Sequence, residues 1–226
     1  MARSQILKDL VSGSGTLESV LIRLKVILSD LENYEINKWI ESEIQGYDNS
    51  IELPNYRILQ GQAIGMYTLG NPFYRIEHTN SPVPLAHLSK LDIKTILTLY
   101  LKDGVSAVLS LIKKEGPKQI KVPSETCQVV SQENLQVYRM TLNFSDNQFQ
   151  GVISSVKTRL TSIILKLEKE FGNLDSLDVF SNEDDKQKLE RIEQYIINVI
   201  YDKSITIGDN NKIKSSIIGH GGERHE

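Results

Sequence analysis

Residues 36–62, INKWIESEIQGYDNSIELPNYRILQGQ, end a helix and start a strand within a dozen positions, and that junction decides the class of the fold. Trp39, Ile40 and Ile44 keep the three-and-four spacing of a helix face, and Gly46 stands where a helix stops in a left-handed conformation. Pro54 has no amide to give a helix, so the chain leaves helical geometry before Tyr56, Ile58 and Gln60 begin an alternating run. The expectation is an α+β protein: an N-terminal helical hairpin, a small antiparallel sheet, long amphipathic helices, and a C-terminal helix followed by a short β tail.

Toward the N-terminus, Ile6, Leu7, Leu10 and Val11 mark a short helix that breaks at Ser12-Gly13-Ser14-Gly15, and Thr16 is placed to cap the next one. Leu17, Val20, Leu21, Leu24, Ile27, Leu28 and Leu31 line one face of that second helix, with Glu18, Arg23, Lys25 and Asp30 on the others. A third helix is expected from Tyr34 to Gln45.

Toward the C-terminus the period becomes two from Tyr56 to His78, with a turn at Gly70-Asn71-Pro72 and a close at Ser81-Pro82-Val83-Pro84. Apolar positions from Leu85 to Ile112 predict one or two helices, broken at Asp103-Gly104. A short strand over Lys118–Val122, a weak helix over Pro123–Glu133 and a strand over Gln136–Phe144 follow, the last with Val137, Arg139, Thr141 and Asn143 alternating. Ser145-Asp146 opens a long helix whose apolar stripe runs from Phe149 to Phe171 and stops at Gly172.

The expected division is a main domain over 1–172, a linker over 173–182, a C-terminal helix with a short β element over 183–218, and a disordered tail over 219–226. In the β element Ile205, Ile207, Ile213 and Ile217 alternate about Gly208-Asp209-Asn210-Asn211. A lone hairpin of that size does not hold itself, so these isoleucines are the candidate oligomerisation residues of a homo-oligomer.

With 39% hydrophobic and 24% charged residues in 226, the chain has the balance of a soluble globular protein. A net charge of −3 gives no overall attraction to a polyanion, so nucleic acid would need a local patch. Lys113-Lys114 with Lys118 and Lys121 is one such patch, although cations at a helix C-terminus are expected from the helix dipole alone. Cys127, the single cysteine, permits no internal disulfide and suits a reducing cytoplasm; its plain reading is a small buried apolar group. No stretch approaches the roughly 20 apolar residues of a membrane span, and a cytoplasmic protein with no membrane partner is expected.

No set of side chains announces a reaction. His78 and His87 flank a Pro-rich turn and His220 and His225 fall in the tail, so no metal and no cofactor are expected. Glu41 and Glu43 point about 200° apart on a helix, and at least one is solvated. The Gly-Ser-Gly-Thr turn lacks the lysine and spacing of a P-loop. Asp103 with Gln119 and Lys121 is the best nuclease-like set, yet no second carboxylate joins it. Tyr56-Arg57 and Tyr74-Arg75 place aromatic beside basic groups, as single-stranded nucleic acid requires and as half-buried strands also show.

Trp39-Ile40, Glu43-Ile44, Gly46-Tyr47, Leu53-Pro54-Asn55-Tyr56-Arg57 and Gln60-Gly61-Gln62, taken together, resemble the N-terminal signature of the AbiTii family of bacterial abortive-infection proteins. The Leu21-Ile22-Arg23-Leu24 helix and the closing helix from Val156-Lys157-Thr158-Arg159-Leu160 to Glu168 match in kind. The resemblance covers about residues 4 to 172, and the I-x-I-G-D-N-N tail is also similar to that of family members. It implies antiphage defence by a toxin or an effector-linked module and carries over no catalytic residue.

The functional expectation is therefore a self-associating binding or effector module of antiphage defence. A phage component or a co-encoded protein is the expected partner, and Glu43, Tyr47 and Arg57 are the candidate surface-binding residues. A nucleic-acid-acting toxin with a scattered active site and a structural adaptor for a separate effector are the alternatives.

Overall fold

The computed structural model describes residues 3–71, 73–177 and 186–202. The second half of the expected linker, the oligomerisation residues Ile205, Ile207, Ile213 and Ile217, and the expected tail 219–226 lie outside the described residues.

The helical part assembles from side-chain caps and apolar stripes. After α1 (Gln5–Ser12), the Thr16 hydroxyl accepts from the Ser19 amide to open α2 (Leu17–Ile27), and Asn33 accepts from the Ile36 amide to open α3 (Tyr34–Gln45). The stripe expected to continue to Leu31 instead tightens into a 3₁₀ turn over Ser29–Leu31, which keeps Leu28 and Leu31 buried.

The element order continues with β1 (Ile58–Gln60), β2 (Gln62–Asn71), β3 (Tyr74–Pro82), α4 (Lys90–Leu97), β4 (Thr98–Tyr100), α5 (Val105–Lys113), β5 (Lys118–Lys121), α6 (Ser124–Val130) and β6 (Leu135–Phe144). Then come α7 (Asp146–Phe171), started by a Ser145–Gln148 capping box, and α8 (Lys186–Tyr201). No described helix is long and apolar enough to cross a membrane.

Helix α7 is the spine. Its stripe from Phe149 to Leu167 is buried, and α1, α2, α5 and α8 all pack on it. Each such large side chain contributes about 1.5–3 kcal/mol by leaving water. Helix α8, expected beyond a linker, lies on α7 and α3 and puts Ile192, Ile196 and Ile200 into the same core. Glu168 near the end of α7 accepts from the Ser4 amide at 2.8 Å and from Arg3 at 2.7 Å, which ties down the start of α1.

Four strands form an antiparallel sheet in the order β3-β2-β6-β5, and β1 pairs separately with β4. The fold is α+β, as the junction implies. Strand β4 interrupts what sequence periodicity reads as helix. Thr98-Leu99-Tyr100 registers against Gln60-Leu59-Ile58, giving that short strand its backbone partner. Tyr56 does not begin the strand, because Asn55–Arg57 is a 3₁₀ turn closed by Arg57 N to Pro54 O at 2.9 Å.

Gly46 stops α3 differently from expectation. Its φ of 109° and ψ of 162° are extended with positive φ rather than left-handed helical, a region only glycine occupies comfortably. A Cβ there would stand 2.9 Å from the Lys102 carbonyl oxygen. Gly46→Ala is expected to cost about 1–3 kcal/mol from backbone strain alone, lowering the thermal midpoint by roughly 5 °C in circular dichroism melts.

Candidate functional site

Two places draw the chemistry-bearing residues together, and they differ in access to solvent. The first is beneath the end of α3. Helical spacing turns Glu43 inward, and it is fully buried with Arg57 of the 3₁₀ turn and, a turn later, Tyr47. Arg57 Nη2 donates to Glu43 Oε2 at 2.5 Å and Nε donates to Oε1 at 3.2 Å. The Tyr47 and Tyr56 hydroxyls each donate to Glu43 Oε1 at 2.6 Å, while Trp39 Nε1 donates to the Tyr56 oxygen at 2.9 Å.

Arg57 Nη1 also donates to the Leu101 carbonyl at 3.4 Å and to the Asp103 carbonyl. From the other side, the Arg159 guanidinium lies 4.2 Å above the Tyr56 ring, donates to the Ile200 carbonyl at 3.1 Å and pairs with Asp202. The network thus joins α3, the turn before β1, the loop before α5, α7 and the end of α8.

Burial, reinforced by the Glu43 charge, pushes the Tyr47 and Tyr56 phenols far above their ordinary range, so both remain donors. Burial alone would weaken the charge on Arg57, but Glu43 more than offsets it and its pKa is raised. No buried side-chain nitrogen or oxygen among the described residues lacks a partner. Glu43, Tyr47 and Arg57 are brought together as one cluster, but the surface role expected of them is corrected: each is buried and its hydrogen-bonding capacity is used within the fold.

The second place is the solvent face of the four-stranded sheet. A groove of about 480 Å³ crosses all four strands there. Ile64 and Met66 of β2 form part of its lining, with Thr79 and Asn80 of β3, Arg139 and Thr141 of β6, and Gln119 and Lys121 of β5. Two irregularities in strand register meet at Met66. Opposite β3 the pairing shifts between Gly65 and Tyr67, and opposite β6 between Met66 and Tyr67.

The second shift makes Tyr138 an extra residue of β6, so Val137 and Met140 are both buried while Tyr138 and Arg139 between them are both exposed. The alternation expected for Val137 and Arg139 on one face is therefore corrected at the bulge. Gly65 allows the close approach: a Cβ would fall 2.4 Å from the Arg139 carbonyl oxygen. Tyr138, Arg139 and Met66 carry no sequence signal as a set, because a bulge is a property of pairing.

The remaining sequence candidates disperse. Gln119 and Lys121 line the groove, whereas Asp103 lies beside Gly46 and the Arg57 cluster and is not part of its lining. Lys118 is buried, donating to the Gly116 carbonyl at 3.2 Å and pairing with Asp146 at 3.6 Å. His78 stacks on Tyr67 at 4.9 Å, and His87 Nε2 meets the Val130 carbonyl at 2.9 Å.

Cys127 is buried, which pushes its thiol up. In the Gly-Ser-Gly-Thr turn the Asp9 carboxylate accepts from Ser14 at 3.2 Å and pairs with Arg23 at 3.1 Å, so the anion held there is the chain's own. Among the described residues no group of three His, Cys, Asp or Glu side chains is placed to hold a metal ion.

The closed cluster makes a stability prediction. Glu43→Ala leaves a buried guanidinium without its counter-ion and is expected to cost about 3–5 kcal/mol, lowering the melting midpoint by roughly 10 °C. Tyr34→Ala, at an exposed position, is the control that should leave the midpoint in place.

No curated protein and no solved structure matches the sequence. The sequence does match the AbiTii family over residues 3–193, from the start of α1 into α8, and so takes in the whole Glu43–Arg57 network except its α8 end. With the match extending well past Gly172 and over most of the chain, the protein belongs to the AbiTii family, which suggests abortive-infection antiphage defence as its role.

Proposed function

We propose that this chain serves abortive infection in the cytoplasm as a binding effector, engaging its target through the cupped outer face of the β3-β2-β6-β5 sheet. The observation that carries the reading is the pair Lys121 and Arg139. Both are exposed, both line the groove, and neither makes an ion pair among the described residues. Unpaired cations at a groove with a partly apolar lining are available to a ligand, whereas the Glu43 cluster is spent on the fold.

The test is phage protection in cells carrying Lys121→Ala/Arg139→Ala at unchanged protein level. Loss of protection with an unchanged melting midpoint is the expected result. Full protection would remove the groove from the function.

Self-association through Ile205, Ile207, Ile213 and Ile217 completes the proposal, since an alternating isoleucine sequence is of the kind that pairs with a second copy. Light scattering should give a larger mass for the full chain than for one ending at Asp202. Truncation has to spare α8, because cutting at Gly172 would strip Ile192, Ile196 and Ile200 from the core. Equal masses would dismiss the tail as an assembly element.

A further inference from the structure

We infer that the sheet groove binds single-stranded nucleic acid, an inference that rests on the groove being the engaged surface and adds the chemistry of what it holds. A single strand offers two things at once: a row of phosphates and unstacked bases with open π-faces. The groove offers a counterpart to each.

The cationic side comes from β5 and β6. Lys121 registers against Thr141, and Arg139 sits two residues before it on the same solvent face, so an ammonium and a guanidinium flank one stretch of groove. Lys121 is a compact point charge, while Arg139 presents a planar fork suited to phosphate oxygens. Glu77, opposite Thr68, is the carboxylate of β3 on this face and stands toward the hairpin end, not in the groove's lining.

The stacking side comes from the bulge. An unbroken strand would send Tyr138 and Arg139 to opposite faces; the extra residue leaves both in solvent. The Tyr138 hydroxyl meets the Thr68 hydroxyl at 3.3 Å, which places its ring over the outer face beside the groove, and the residue is 52% exposed. Half-buried Ile64 and Met66 give a base an apolar floor, and Gln119 and Asn80 supply amides for its edges. A neutral apolar peptide would leave both cations uncompensated, and a free phosphate would leave the aromatic ring without a role.

The experiment is fluorescence anisotropy of the full chain with labelled oligo(dT) and oligo(U) of about 12 nucleotides, titrated over a range of salt, with a duplex of the same length for comparison. The expected result is salt-dependent binding of single strands in preference to duplex, and the tighter of the two arms names DNA or RNA as the source. Lys121→Ala/Arg139→Ala should lower the salt slope by about 1.4, two contacts at roughly 0.7 each. Tyr138→Ala should weaken binding by about 5- to 160-fold with the slope unchanged. All three positions are exposed, so melting curves of the variants are expected to match the parent, and they serve as the check on folding.

Failure to bind either strand at low salt overturns the inference, as does binding that all three substitutions leave intact or a duplex bound as tightly as the strands. Loss of phage protection in the double variant, with no strand bound by the parent chain, removes nucleic acid as the occupant but spares the groove. Retained protection overturns the groove reading itself.

Discussion

A carboxylate and a guanidinium facing each other in the absence of water are the constraint on which the helical part depends. Glu43 and Arg57 are both completely buried, and neither could be there alone at tolerable cost. Their pairing is tolerable because both groups have further hydrogen-bond partners, two tyrosine hydroxyls on the carboxylate and two backbone carbonyls on the guanidinium. Those partners come from separate parts of the chain, so the ion pair fixes how the end of α3, the turn before β1 and the loop before α5 meet. Arg159, stacked on Tyr56 and bound to the end of α8, extends the same constraint to the long helix.

The sheet meets a different requirement. Its inner face is filled by Ala63, Tyr67, Leu135, Val137, Met140 and Leu142, and the packing there is that of an ordinary core. Its outer face carries polar and cationic groups beside Ile64 and Met66, and the two register shifts meet at Met66 in the groove's lining. Each shift breaks the ladder locally, yet Tyr67, Val137 and Met140 beside the β6 shift remain buried. The apolar burial is thus concentrated in the helices and the inner face, while the outer face stands largely in solvent.

Much of the scaffold was legible in sequence. Helical spacing around Trp39, the cap residues Thr16 and Asn33, and the stripe from Phe149 to Phe171 are local signals, and α2, α3 and α7 form where those signals stand. Strand β4 was not legible, because Thr98-Leu99-Tyr100 follows a helical run and becomes extended only through pairing with β1. Glu43, Tyr47 and Arg57 could be singled out, but their burial could not: charged side chains are ordinarily solvated, and only the arrival of each other's partners makes burial affordable. The groove residues were partly visible, as Gln119 and Lys121, while Tyr138 and Arg139 stayed hidden in an apparently regular strand.

The sequence by itself determined the α+β class, the family and most element boundaries, because periodicity, caps and breakers act over a few residues. Tertiary structure alone decided which side chains are available for function. It buried the family signature in a closed ion-pair network, joined α8 to the core, and turned two neighbouring residues of β6 to the same face. Those outcomes depend on which distant segments pair and in what register, and neither is written in any local stretch of the chain.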